Sequence, residues 1–527
     1  MAEVTEAFNL SSELAPGRLE RSSVNVVASM VGYVVPMLVS LATTPVLLRW
    51  LGEAAFGLQS LVAVIIGYLT VMDMGLDLPI VKLLAEDHAR GDASGEQRLL
   101  NTTLQLYACV GVVGLLVIVF AAEALAHSVF RVPPELQEEA VWVFRLAGAG
   151  FLASVFLSWG RAVTMGLQRF DLCYGVFVVT NVAGVGFGLA AVHAGRGVSG
   201  YVLVRVLVSL GGGLGYWWLA KRSLPHLRLR WDFDRGTLRR VARYVGYGTA
   251  NRAIGSAVSR LDQTLIGVWW GVAAAGIYAL PLMIVSSLGY MIAYMLGFLF
   301  PLASELHSLG QLDRLREILT KAMRFMAGLA TMAFVPVAIF GDRFLELWVG
   351  GNVAEQASMA LRLLAVAGYL GTLTVSLTNN VLIGIGNIRQ FTMYATVRAV
   401  VLGIACVVCI RPLGLTGAGV GLLIATMVDA CYFVIVLGRY FDMSVPRVLK
   451  EAYLKALALG LALALIAVVS RRMVNSWSRL VMVVGVLEAG YVIAGYRIGV
   501  FCETERRALL GLWQVAPRML WYRGRGL

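Results

Sequence analysis

Apolar runs of roughly twenty residues recur along almost the whole chain, separated by short polar or basic connections. About 20 consecutive apolar residues, wound as an α-helix, match the hydrocarbon thickness of a bilayer. Runs of that length predict fourteen spans, near 24–48, 57–79, 101–121, 141–160, 172–193, 200–219, 243–269, 276–300, 322–340, 358–382, 390–410, 416–437, 452–470 and 480–497. The polar start, Met1 to Arg21, has no short apolar core before a small-residue cleavage site, so no removable signal peptide is expected. The fold class this implies is all-α integral membrane.

The pattern of the first half returns in the second about 219 positions later. Gly52, Ala54, Ala55 and Gly57 fall on Gly271, Ala273, Ala274 and Gly276, and Glu86, His88 and Gly91 on Glu305, His307 and Gly310. One residue less aligns Ala149, Gly150, Leu152, Ser158 and Gly166 with Ala367, Gly368, Leu370, Ser376 and Gly384, and one less again puts Gly197 and Gly200 on Gly414 and Gly417. A slowly drifting offset is what short loop deletions leave behind. Six spans per half enter the membrane in the same orientation, so the two bundles should be related by an axis along the membrane normal, with a cavity at their interface. The organisation expected is a cytoplasmic segment 1–23, a six-helix lobe 24–220, a basic linker 221–242, a second six-helix lobe 243–438, two further spans within 439–498 and a basic cytoplasmic tail 499–527.

Composition agrees with a membrane chain: the 527 residues are 59% hydrophobic and 14% charged, with mean hydropathy +0.78. Soluble domains carry roughly 25% charged residues. The net charge of +13 is no sign of nucleic acid, because with a cytoplasmic N-terminus most Lys and Arg between spans fall on inner segments, the bias of loops that resist translocation. The densest run, Lys221, Arg222, Arg228, Arg230, Arg235, Arg239, Arg240 and Arg243, suits topology and attraction to anionic headgroups. Within it, Asp234 to Arg243 reads as a short helix on the inner surface. The outer cluster Arg471, Arg472 and Arg479 runs against the bias.

Several short patterns carry no chemistry. Cys406 and Cys409 have redox spacing but sit in an apolar span with no second pair, so they read as small apolar helix residues. Gly184 with Gly188, and Gly417 with Gly421, have the spacing that lets helix backbones approach closely. There is no nucleophile–base constellation, no phosphate-cradling loop, no ATP motif and no metal set. No cofactor is expected, and the short outer connections leave no room for an inserted catalytic domain.

Ionisable residues inside spans cost roughly 2.5–3.5 kcal/mol each on insertion scales and usually face a cavity or a partner. Span seven is the richest. Arg252, Ser256 and Arg260 are four apart, and Ser259 and Gln263 continue the same side, making one polar stripe on an apolar helix. Asp262 points elsewhere and cannot neutralise Arg260 within the helix. Arg398 lies in span eleven and Arg205 in span six, with Arg145 and Arg161 toward the ends of span four. Cations are at least as numerous as the buried acids Asp73, Asp262, Asp429 and Glu488. Arg presents several fixed donors and recognises phosphate in a bidentate way, so surplus Arg suits an anionic headgroup. Arg252, Arg260 and Arg398 are read as substrate contacts with structural ion pairing as the alternative, and Arg205 and Arg145 as snorkelling to the interface. Asp73, before Met74-Gly75, either binds a proton or sodium ion or caps a helix break; Asp262 is the second acid to examine for ion coupling. Glu86/His88 and Glu305/His307 read as solvated or gate residues of the inner loops.

Several short motifs in order resemble the polysaccharide-transporter, O-antigen flippase branch of the multidrug/oligosaccharidyl-lipid/polysaccharide (MOP) flippase superfamily. They are Thr44-Pro45 with Leu51-Gly52-Glu53-Ala54-Ala55-Phe56-Gly57-Leu58, then Asp73-Met74-Gly75-Leu76, Ser259-Arg260-Leu261-Asp262-Gln263-Thr264-Leu265-Ile266-Gly267, Gly276-Ile277-Tyr278-Ala279, Pro301-Leu302-Ala303-Ser304, Leu345-Glu346-Leu347-Trp348-Val349-Gly350 and Gly384-Ile385-Gly386-Asn387. The resemblance covers most of 24–437. It implies a two-lobed, V-shaped helical fold in the bacterial inner membrane, both termini cytoplasmic. It implies alternating-access transfer of an isoprenoid-diphosphate-linked oligosaccharide, with membrane lipids and a polysaccharide polymerase or export machinery as partners. The family's cationic cavity carries over to Arg252, Arg260 and Arg398. The competing readings are a multidrug or cation antiporter of the same superfamily, which would want embedded acids as its main feature, a flippase for a lipid-linked cell-wall precursor, and, as an enzyme, a polysaccharide polymerase or ligase.

Overall fold

The computed structural model describes residues 16–501 apart from 74, 229, 231–232, 243–254, 256–257, 259, 296–298 and 386. Among the described residues the chain is all-helical, with sixteen α-helices. Seven lie before the linker: α1 Pro16–Leu51, α2 Glu53–Leu69, α3 Asp77–Arg90, α4 Ala93–Ala124, α5 Gln137–Gly166, α6 Phe170–His193 and α7 Gly197–Ser223. Nine follow it: α8 Leu261–Trp270, α9 Val272–Met295, α10 Leu299–Ser308, α11 Leu312–Val349, α12 Gly351–Gly384, α13 Ile388–Phe441, α14 Val445–Val448, α15 Leu454–Ser470 and α16 Trp477–Ile498. Twelve described segments are long and apolar enough to cross a bilayer, and the chain is a multi-pass membrane protein. Span seven falls largely on 243–254, outside the described residues.

Two expected spans are built differently from a simple rod. The apolar run of span two does not continue helically to 79. It ends at Leu69, tightens into a 3₁₀ turn over Thr70–Asp73 and restarts at Asp77. Gly75 supplies φ +67° at the join, and Pro79 falls in the first turn of α3, where its missing N–H leaves no helical bond unmade. The long α13 is two helices, reversing at Gly414 (φ 58°, ψ −131°) just after Pro412. A side chain on Gly417 would collide with the Cys409 carbonyl, and one on Gly421 would meet the Cys406 backbone nitrogen at 3.2 Å. The expected spans 390–410 and 416–437 are therefore the arms of one tight hairpin, with Cys406 and Cys409 as packing residues inside it.

The offset pairs behave alike in the backbone. Gly52 and Gly271 have φ +80° and +89°, Gly91 and Gly310 +68° and +69°, and Gly197 and Gly414 +59° and +58°. Gly57 and Gly276 go further and touch each other. A Cβ on Gly276 would lie 2.6 Å from the Gly57 Cα, and one on Gly57 would strike the Val272 carbonyl. Residues that pack on their own counterparts lie at a two-fold relation between α2 and α9. Gly276→Ala should therefore cost about 1–3 kcal/mol as an overpacked contact, and a heat-stability series on the detergent-purified protein would read it as a lowered midpoint; an unchanged midpoint would mean the helices slide apart freely.

The last two spans are tied on by charge as well as packing. Arg471 pairs with Asp342 of α11, which also lies 3.3 Å from Arg362 Nη2. The outer cations that run against the basic bias are thus partly compensated from within the second half.

Candidate functional site

The described residues of the stretch 221–242 contact α3 and the start of α4. Gln97 bonds the Arg228 backbone, donating to its carbonyl and accepting from its N–H at 2.7 Å. Asp234 caps the helical stretch 235–242, accepting the Thr237 N–H at 2.7 Å. The Thr237 hydroxyl and N–H together hold the Asp234 carboxyl below the usual carboxylate range. From this helix Arg240 grips buried Asp87 with both terminal nitrogens, at 3.0 and 2.8 Å, and lies 3.4 Å from Glu86. Buried Glu96 stands between His88 and His226, each at 2.8 Å. Glu86 and His88 are therefore held against the linker. Asp87 and Glu96, which the sequence did not single out, are the acids at its centre.

Of the candidate substrate contacts, Arg252 and Ser256 lie outside the described residues. Arg260 stands at the start of α8, and its side chain crosses Gly67 of α2, where a Cβ would come 2.5 Å from the guanidinium carbon. Beside it the Tyr68 and Thr264 hydroxyls bond at 2.7 Å. No described carboxylate lies within ion-pair distance of Arg260. It is thus a half-buried cation on the seam between the halves, one turn and a half from the α2 break that Asp73 closes. The Asp73 backbone ends that 3₁₀ turn; its side chain is not among the described ones.

Gln263 and Asp262 are turned away from open space. Gln263 is buried and donates to Ser60 Oγ at 3.2 Å and to the Ala275 carbonyl at 3.3 Å. Asp262 accepts the Tyr278 hydroxyl at 2.6 Å and the Gln263 N–H at 2.8 Å, all within the buried core. Arg398 is paired: its Nε donates to Asp429 at 2.9 Å, and Tyr394 donates to the other carboxylate oxygen at 2.6 Å. Asp429 is only 1% exposed and Arg398 half-buried, so a buried carboxylate and a half-buried guanidinium join the two arms of the α13 hairpin.

Open space lies instead beside arginines that sequence reading gave to the membrane interface or a span end. A cavity of about 310 Å³ is bounded by Tyr33 and Ser40 of α1, Asn181 of α6, Arg205 of α7 and Met283 and Ser287 of α9. Two bonds bridge the halves across it, from the Tyr33 hydroxyl to the Ser287 carbonyl at 3.1 Å and from Ser40 to the Met283 sulfur at 3.6 Å. Trp348 Nε1 to the Leu41 carbonyl at 3.0 Å and Asn352 to Glu53 at 3.0 Å join the halves again at one end. A second cavity of about 230 Å³ adjoins it inside the first half, among Ser154, Ser158 and Arg161 of α5, Thr180 of α6 and Ser209 of α7, and shares Phe177, Asn181 and Arg205. No described lining residue of either cavity is acidic. The signal was in the sequence: Ser154, Ser158 and Arg161, and Arg205 with Ser209, have the same one-face spacing that marked span seven. Arg145, by contrast, is paired with Glu123 at 3.1 Å.

Comparison with known proteins gives this arrangement a context. The family model described as polysaccharide biosynthesis protein matches residues 46–358. The Shigella flexneri protein named "Putative O-antigen transporter" is 19% identical over 358 residues, covering 67% of this chain and 82% of its own length. In fold, the chain is similar to the lipid II flippase MurJ in an inward closed conformation, with TM-score 0.71, 10% identity, and coverage of 91% of this chain and 100% of that one. It is also similar to an inward-facing multidrug resistance MATE family transporter of the MOP superfamily, with TM-score 0.64, 19% identity, and coverage of 80% and 99%.

Proposed function

The chain belongs to the polysaccharide biosynthesis protein family, and from that premise we propose that it moves an isoprenoid-diphosphate-linked oligosaccharide across the bacterial inner membrane by alternating access. Its fold is that of MOP superfamily transporters, and in this reading it works as a membrane transporter and not as an enzyme. The observation that carries the finer reading is the cavity between the halves, whose one described charged lining residue is Arg205. A cavity that presents guanidinium and hydroxyl donors suits a phosphate-bearing sugar lipid. It is the wrong sign for a cationic drug, which sets the antiporter reading second.

The mechanism follows from what holds the halves together. The seam bonds Tyr33–Ser287, Ser40–Met283 and Trp348–Leu41 are neutral and worth about 0.5–1.5 kcal/mol each, and the Asn352 bond to the Glu53 carboxylate about 1.5–3 kcal/mol, so in this reading each can be exchanged for bonds at the opposite end. The Gly57–Gly276 contact is the natural pivot, because helices without side chains between them can rock at close range. In this reading the lobes are 24–220 and 243–438, fourteen spans leave both termini cytoplasmic, and α15 and α16 ride on the second lobe. Arg260 presents charge to the diphosphate from the seam and Arg252 contributes a second charge, and Asp73 beside the α2 break is the acid for ion coupling, with Asp262 serving as a buried brace for Tyr278.

Deleting the gene should leave isoprenoid-diphosphate-linked sugars accumulating on the cytoplasmic leaflet, identified by mass spectrometry and by resistance to a membrane-impermeant glycan-modifying reagent added from outside. Normal outward delivery of the same lipid-linked sugars in the deletion strain would sink the reading.

A further inference from the structure

We propose that the cavity enclosed by α5, α6 and α7 is a phosphate-binding site, with Arg161 and Arg205 as its two cationic poles. Arg161 and Arg205 both line it, and neither has a described carboxylate within ion-pair distance. Charged groups inside a membrane bundle persist when a partner or a water-filled cavity meets them. Within this bundle the described lining offers only hydroxyls, an amide and apolar groups. Both arginines line this one space, so an anion that enters it meets charged donors from α5 and from α7.

The two guanidiniums enter from different levels. Gly160 packs directly against Tyr216 of α7, which places Arg161 near that depth. Arg205 lies eleven positions earlier on the same helix, about 16 Å along its axis at 1.5 Å per residue. Arg205 leans on the Tyr201 ring, 6.0 Å from its centroid, and is shared with the seam cavity. Between the poles, Ser158, Thr180 and Ser209 supply hydroxyls, Ser154 donates its own to the Phe151 carbonyl at 2.7 Å, and Asn181 spends one of its two amide N–H bonds on the Phe177 carbonyl at 2.9 Å, which leaves the other as a donor.

The size decides what fits. About 230 Å³ is below the ~300–1,000 Å³ typical of pockets that take drug-sized ligands. It holds a diphosphate or phosphodiester group with the first sugar or glycerol hydroxyls, not a whole oligosaccharide. The shared cavity wall at Arg205 makes it a side chamber of the seam, in which the anionic part of a lipid is held while the remainder stays in the larger space. The inference rests on the transport reading only for which lipid brings the phosphate: an isoprenyl diphosphate or a bilayer phospholipid would satisfy the same two arginines.

The test uses the full chain in detergent and native mass spectrometry, titrated with an isoprenyl diphosphate, with phosphatidylglycerol and with inorganic pyrophosphate. Arginine-dependent retention of isoprenyl diphosphate, displaced by pyrophosphate, would assign the chamber to the carrier lipid; arginine-dependent retention of phosphatidylglycerol alone would assign it to the bilayer, and the phosphate site stands either way. Arg161→Gln/Arg205→Gln should weaken binding at least about a hundredfold, about tenfold or more per charge-assisted contact. The Arg161→Lys/Arg205→Lys pair keeps the charge and loses the planar fork, so it should bind at intermediate strength. Unchanged retention of both lipids in the glutamine pair, eluting like the parent protein, overturns the proposal; should that pair not fold, unchanged retention in the lysine pair overturns it equally. Because no transport is read, loss of binding in these variants with normal delivery in the deletion strain would leave this site standing and remove the flippase reading.

Discussion

Asp429→Ala is expected to prevent accumulation of folded protein, or to leave a protein that no longer survives mild heating as a single species in size-exclusion chromatography. Asp429 is buried, and both of its oxygens are committed, one to Arg398 at 2.9 Å and one to Tyr394 at 2.6 Å. Removing one partner of a buried pair typically costs 3–5 kcal/mol, because the other charge is left uncompensated, and the half-buried Arg398 guanidinium puts this loss at about the low end of that range. The total stability of a domain is only about 5–15 kcal/mol, so the loss falls near the threshold. The neutral pair Arg398→Gln/Asp429→Asn should recover most of it, since an amide at each position can keep the Tyr394 bond and one bond between the arms of the hairpin. Export by that double variant also separates two roles for Arg398. Normal export at normal protein level makes Arg398 a structural cation; lost export in a stable double variant would return it to the substrate path.

Much of the architecture could be read from the chain because membrane helices are specified by long, redundant signals. The run of apolar residues in α6, Phe170–His193, was legible to within two residues. The glycines were legible for a different reason. A position that needs φ near +80° (Gly52, Gly271) accepts little else, so its recurrence at a fixed offset survives when the side chains around it drift. The break in span two entered only as one of two roles for Asp73, because hydropathy continues straight through it: Val71, Met72 and Leu76 are as apolar as the helix before them, and Asp73, Gly75 and Pro79 mark the join.

The site was less legible, since facing is a property of the neighbours and not of the helix itself. Gln263 shares a face with Arg260 by spacing, yet its amide is spent on Ser60 and Ala275 because α2 and α9 close over it. Arg205 reads as a snorkelling residue near a span end when α7 is considered alone. The gap beside it arises only from the way α1, α6 and α9 meet. Likewise the partner of Arg398 is not visible from its own helix: Asp429, 31 positions on, is brought beside it by the turn at Gly414.

Arg252→Ala/Arg260→Ala is expected to cripple glycan export while the protein level stays normal. Arg260 is the observed half of this pair. It lies on the seam across Gly67, with no described carboxylate within ion-pair distance, which leaves its guanidinium donors available to a ligand. Losing one charge-assisted contact costs roughly 1.5–3 kcal/mol, or about ten- to a hundred-fold in affinity, and the second arginine compounds it. Gly67 gives an independent handle on the same side chain. Gly67→Ala would drive a methyl group into the Arg260 guanidinium, so the arginine must swing off the seam although its charge remains. If position matters, Gly67→Ala should lower export in the same direction as Arg260→Ala, and combining the two should add little, because both remove one contact. If only charge matters, Gly67→Ala should export normally and Arg260→Lys should suffice. Unchanged export in the double arginine variant would take both residues out of the substrate path, and loss of folded protein would make them structural ion-pair partners.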